Sequence, residues 1–191
     1  MKFIIVSNAD TEKVGKMLEP TDMLSKRGFE IADLLQTSIP KSPDIIFTSP
    51  FISALQTVYP YCINNNKKVH IDYTLYPCLH KKVLKQNNLL NYHQYLNDII
   101  NNKYITSILS NNIPNNETKN NIQNRLFPFL YKIINNLKNT EKTILFVTDC
   151  SMCNLILEYF NEKYQTNIKS LLKQKEKQYF KEGNIITVDI K

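Results

Sequence analysis

Two short stretches hold the side chains of this 191-residue chain that are best placed for chemistry. Each directly follows an apolar run: Ser7-Asn8-Ala9-Asp10-Thr11 comes after Phe3–Val6, and Thr148-Asp149-Cys150 comes after Thr143–Val147. In open parallel sheets, sites form just beyond the carboxyl ends of strands. The two stretches are therefore expected side by side, with the strands from Phe3 and Ile144 adjacent. Asn8, Asp10 and Asp149 carry oxygen donors that a hard cation such as Mg²⁺ accepts. The carboxylates are few, however, so a hydrogen-bonded polar cluster is expected, with no metal and no cofactor. Cys150-x-x-Cys153 has the spacing of a redox pair opening a helix, where a thiolate is stabilised. The expectation is the plainer one of two small buried thiols. Zinc needs more ligands than Cys62 and Cys78 can add. His70, His80 and His93 fall on a strand and in a polar insert, away from both stretches.

Positioning these residues requires a framework of alternating strands and helices. Phe3–Val6, Asp44–Thr48 and Thr143–Thr148 are β-rich apolar runs of the kind buried on both faces of a parallel sheet. Val69–Ile71 is a shorter strand, and Ile185–Ile190 alternates like a half-exposed edge. Helices are expected over 24–36, with Ser25 as N-cap and Leu24, Ile31, Leu34 and Leu35 on one face. Others are expected from Ser49-Pro50 to about Cys62, broken by Pro60, and over 120–137, 152–164 and 168–180. An Asn-rich insert at about 78–116 carries one helix from about Tyr92 to Leu109. Alternation of this kind predicts a three-layer α/β/α sandwich around a mostly parallel sheet. Residues 1–191 are read as one domain.

Composition narrows the class. Hydrophobic residues make up 42% of the chain, a normal globular value that argues against disorder. Four cysteines in a chain of this length do not form a disulfide framework, so reduced thiols and a cytoplasmic setting are expected. No run approaches 18 apolar residues, and Phe3–Val6 is too short for a signal-peptide core, so neither a membrane span nor a leader is expected. The net charge of +7 is concentrated in lysines at 67–68, 81–85 and 169–181. Lys169, Lys173, Lys177 and Lys181 recur every four residues, which would suit nucleic acid or an acidic surface. Without an aromatic stacking platform, a solvated helix face is the simpler reading.

Taken in order, the motifs resemble those of the histidine phosphatase (phosphoglycerate mutase-like) superfamily. Ser7-Asn8-Ala9-Asp10-Thr11 stands where that family has Arg-His-Gly, often extended by Glu-Thr. Leu24-Ser25-x-x-Gly28 through Ala32 is similar to its Leu-Thr-x-x-Gly-x-x-x-Ala. Ser49-Pro50-Phe51-Ile52-Ser53-Ala54-Leu55-Gln56-Thr57 resembles Ser-Pro-x-x-Arg-Ala-x-Gln-Thr, the most specific of the matches. Glu117-Thr118 with Arg125 resembles Glu-Ser-x6-Arg, and Val147-Thr148-Asp149-Cys150 resembles Val-x-His-Gly. Asn184, before a final apolar strand, completes the set.

The resemblance implies the phosphoglycerate mutase-like sandwich, and it also locates what has changed. The family phosphorylates its first-motif histidine and holds the phosphoryl group with two arginines and the late histidine. Those positions are Asn8, Ser7, Ser53 and Asp149 here, and the usual acid falls near Pro77, where there is no carboxylate. An amide cannot carry a phosphoryl group, and two lost cations with one added anion turn an attractive phosphate pocket repulsive. Ser7, Asn8, Asp10, Ser53 and Asp149 thus read as a degenerate pocket with no catalytic residue. The function expected is a non-catalytic scaffold or binding subunit with a protein partner or larger assembly. The alternatives are a phosphatase or phosphomutase with an altered site and a basic nucleic-acid-associated module.

Overall fold

A computed structural model describes residues 1–12, 21–39, 42–77, 94–105, 117–164 and 181–190. The apolar runs form the strands β1 (Lys2–Ser7), β2 (Ile45–Thr48), β3 (Val69–Ile71) and β5 (Thr143–Thr148), with β4 (Ile100–Ile105) and β6 (Ile185–Asp189) at the two edges. The sheet order is β4-β3-β2-β5-β1-β6, parallel throughout except for β6, which runs antiparallel to β1. As expected, β1 and β5 are neighbours, with Phe3 opposite Ile144 and Ser7 opposite Thr148.

Because successive strand residues point to opposite faces, the central strands feed two cores. On one side, Ile4, Val6, Ile46, Leu145 and Val147 pack under α1 (Lys26–Ser38) and α2 (Ile52–Asn64). On the other side, Phe3, Ile5, Phe47, Ile144 and Phe146 pack under α3 (Lys119–Leu137) and α4 (Cys150–Tyr164). The result is the three-layer sandwich. Among the described residues, no helix is long and apolar enough to cross a membrane.

Three local expectations are corrected. The first concerns the insert, where a helix was expected from about Tyr92 to Leu109. The described part, 94–105, is a 3₁₀ turn (Gln94–Asp98) followed by β4. The open edge of β3 takes a partner there: Val69 N–H donates to Ile99 O at 2.7 Å, and Leu96, Ile99 and Ile100 are buried. The second concerns Pro60, which does not break α2; the helix continues to Asn64. Proline removes one helical hydrogen bond, but only continuation buries Tyr61 and Cys62, which are 3% and 1% exposed. The third concerns Leu34, which is 68% exposed, whereas Gly28, Ala32 and Leu35 form the buried face of α1. The lysine-rich segment 168–180, apart from Lys181 beyond its end, lies outside the described residues, as do Cys78, His80 and His93.

Candidate functional site at the strand ends

The sheet brings the two chemistry-bearing stretches together. Asn8 N–H donates to Thr148 O at 2.7 Å, so the loops leaving β1 and β5 start in contact. Ser7 is fully buried. Its hydroxyl donates to Lys181 O at 2.5 Å and accepts from Asn184 N–H at 3.1 Å, while its own N–H donates to Asn184 O. Both hydrogen-bonding roles of this hydroxyl thus fasten the segment 181–184 onto the end of β1. Asn8 is 5% exposed. Its side-chain amide donates to Ala9 O at 3.3 Å, and its main-chain carbonyl accepts from Gly183 N–H at 3.1 Å. Gly183 has φ +73°, and a Cβ there would lie 2.4 Å from Ile31, so this turn needs glycine.

Asp149 starts α4 as its N-cap. Its Oδ1 accepts from Ser151 N–H at 2.7 Å and from the Ser151 hydroxyl, and its carbonyl accepts from Cys153 N–H at 3.0 Å. This is the usual way an aspartate satisfies an orphan helix donor. The residue as a whole is half-buried, but Oδ2 is sealed from solvent with no hydrogen-bond partner among the described residues. Burial therefore pushes its carboxyl above the ordinary carboxylate range, against the lowering effect of the Ser151 bonds.

Ser53 lies in the first turn of α2. It is fully buried, and its hydroxyl has no hydrogen-bond partner among the described residues. Its carbonyl accepts from the Thr57 hydroxyl at 2.7 Å, and the same oxygen of Thr57 accepts from Ala9 N–H at 2.9 Å. Gln56 does similar work next to it: Oε1 accepts from Leu24 N–H at 2.8 Å, and Nε2 donates to the Tyr95 hydroxyl at 2.7 Å. Asp10 anchors α1. Its Oδ2 accepts from the Ser25 hydroxyl at 2.6 Å, its carbonyl accepts from Ser25 N–H at 3.0 Å, and Ser25 caps Gly28 N–H at 3.0 Å. A Cβ on Gly28 would stand 2.0 Å from Asp10 O, which explains the glycine in that motif.

A cavity of about 460 Å³ opens beside these residues, lined in part by Asp10, Arg27, Cys150, Lys181, Glu182 and Asn184. Its charged side chains balance, two of each sign. No thiol near it is activated. Burial, with Asp149 adding to it, pushes Cys150 up to about 11 and Cys153 well above the ordinary thiol value. Cys153 Sγ contacts Val6 O and Thr148 O at 3.5 and 3.8 Å, so this thiol sits between the ends of β1 and β5. Among the described residues, no group of three or more His, Cys, Asp or Glu side chains could hold a metal ion.

Sequence reasoning missed one carboxylate. Asp72 directly follows β3, is 2% exposed, and accepts from Thr74 N–H and hydroxyl at 2.9 and 2.6 Å. The Asp-x-Thr pattern after an apolar run was the available signal, since aspartate closes turns this way. Glu117 and Arg125 form a clamp. The guanidinium meets both carboxylate oxygens at 2.9 and 3.0 Å and donates to the carbonyls of Thr74 and Tyr76. His70 lies on the α3 side of β3, apart from this site. It packs edge-on to Phe47 at 5.4 Å, and burial lowers its pKa.

No family model matches the sequence, and a search of curated proteins finds no relative. Solved structures do match. The α-ribazole phosphatase from Shigella flexneri aligns over 100% of this chain and 91% of its own, with TM-score 0.67 and 19% identity. The ecdysone phosphate phosphatase from Bombix mori, in complex with tungstate, aligns over 99% and 91%, with TM-score 0.63 and 10% identity. A histidine-to-alanine mutant of phosphoserine phosphatase from Entamoeba histolytica, in complex with phosphoserine, aligns over 97% and 89%, with TM-score 0.59 and 19% identity. At these identities the likeness establishes the fold.

Proposed function

We propose, from the premise that this chain has the fold of the histidine phosphatases, that it is a non-catalytic member serving as a scaffold or binding subunit. One observation carries this reading. The positions that the sequence resemblance assigns to phosphoryl chemistry are buried or used to hold the frame: Ser7 fastens 181–184, Asn8 bonds along its own loop, Ser53 is sealed, and Asp149 caps α4. The frame residues of the same motifs (Ser25, Gly28, Gln56 and Thr57) hold the loops together. Hydrolysis by the family route needs a phosphorylatable nucleophile and cationic donors around the phosphoryl oxygens. The Asn8 amide cannot take a phosphoryl group, the Ser7 and Ser53 hydroxyls are buried within the frame, Asp149 Oδ1 is engaged as a helix cap, and none of the four carries a positive charge.

A second reading, an altered phosphatase, has its own support. The solved structures of this fold named above are phosphatases, and one of them is described with phosphoserine bound although a histidine is replaced. Binding of a phosphate ester is therefore separable from the presence of that histidine in that protein. In this chain, the adjoining cavity pairs Arg27 and Lys181 with Asp10 and Glu182, which leaves little net attraction for an anion.

The scaffold reading is tested by affinity capture of the full chain from native lysate, followed by size-exclusion chromatography and mass spectrometry. A partner that co-elutes stoichiometrically with the chain is the expected result. Elution of the chain alone, at its own mass, would contradict it.

A further inference from the structure

We propose that the groove between α3 and strands β2 and β3 is a binding site for a small aromatic monoanion, separate from the strand-end site. The cavity measures about 610 Å³, within the range of roughly 300–1,000 Å³ typical of small-molecule sites. Its walls are mainly apolar and aromatic. Ile45 and Phe47 come from β2, and Phe129, Ile133 and Leu137 from α3. The Phe47 ring meets Phe129 edge-on at 5.5 Å and His70 edge-on at 5.4 Å, leaving an aromatic-lined slot. Flat aromatic bodies are favoured in such surroundings.

Charge selects the sign of the ligand. Phe129, Lys132, Ile133 and Asn136 follow one another at helical spacing along the groove face of α3. Lys132 is exposed and has no ion-pair or hydrogen-bond partner among the described residues. Arg125, farther along the same face, is occupied by Glu117 and by backbone carbonyls. Asp72 is occupied by Thr74. His70 bonds through Nε2 to the Asn101 amide. Asp72 keeps its charge but is 2% exposed, and Arg125 is half-buried against Glu117, so the one exposed charged side chain among the described residues lining the groove is Lys132, and an apolar body with one negative head fits. None of the strand-end residues Ser7, Asn8, Ser53 or Asp149 lines this groove.

Fluorescence titration with two matched probes tests the site: 8-anilinonaphthalene-1-sulfonate and its uncharged analogue, N-phenyl-1-naphthylamine. The sulfonate should bind the folded protein saturably at one equivalent, about fivefold tighter than the neutral probe, the value of one exposed charge pair. Lys132→Gln should remove that advantage and leave the neutral probe unchanged, while Phe129→Ala should weaken both. Equal affinity for the two probes, unsaturable binding, or indifference of the sulfonate to Lys132→Gln or of both probes to Phe129→Ala would each overturn the proposal.

Discussion

At Asp149 the chain places a carboxylate at a strand end and uses one of its oxygens as a helix cap, while the other finds no partner among the described residues. The two halves of this arrangement oppose one another. The cap stabilises by about 1 kcal/mol, whereas an unsatisfied buried charge costs more than that. Burial raises the folded-state pKa above its ordinary value of 3.8. Between that value and the folded pKa, the folded chain holds more protons than the unfolded one, so stability falls as pH rises through this window. Asp149→Asn keeps an acceptor for Ser151 N–H and removes the charge. Thermal melts at pH 7 should show the variant more stable by on the order of 1 kcal/mol, about 2–4 °C in Tm for a chain of this size. The gain should vanish near pH 3, where aspartate is protonated in both states. A lower Tm at pH 7, or a gain independent of pH, would contradict this account.

The elements themselves depend on close approaches that side-chain chemistry alone does not reveal. α1 meets the loop after β1 at Gly28, where a Cβ would stand 2.0 Å from Asp10 O. Gly28→Ala normally favours a helix, yet here the loop or the helix must move. It should therefore destabilise the chain by about 1–3 kcal/mol, the usual range for overpacking, as read by urea unfolding. A neutral or stabilising result would mean that the contact gives way without cost. The central strands were legible in the sequence because two-sided burial produces continuous apolar runs, and the Ser25 cap was legible because its chemistry is local. β4 was not. Its sequence, Ile100-Asn101-Asn102-Lys103-Tyr104-Ile105, is mostly polar, as suits an edge, and what defines it is the unpaired side of β3. The buried face of α1 was likewise misjudged at Leu34, because small residues, Gly28 and Ala32, make the close contact and hydropathy gives them little weight.

Across the whole molecule, the sheet order gathers onto one edge the residues that the sequence resemblance marks. It puts Ser7 and Asn8 beside Thr148 and Asp149, and Thr57 ties the Ser53 turn to Ala9. That gathering was legible from strand order and motif order. The tasks of the individual side chains were not, because a hydroxyl that fastens a neighbouring segment and one that faces a ligand look identical in sequence. We propose that these positions hold the frame and do no phosphoryl chemistry. The rate of p-nitrophenyl phosphate hydrolysis by the full chain, alongside Asn8→Ala and a buffer blank, decides the matter. All three rates should coincide. Turnover by the parent clearly above the blank, lost in a folded Asn8→Ala variant, would contradict it.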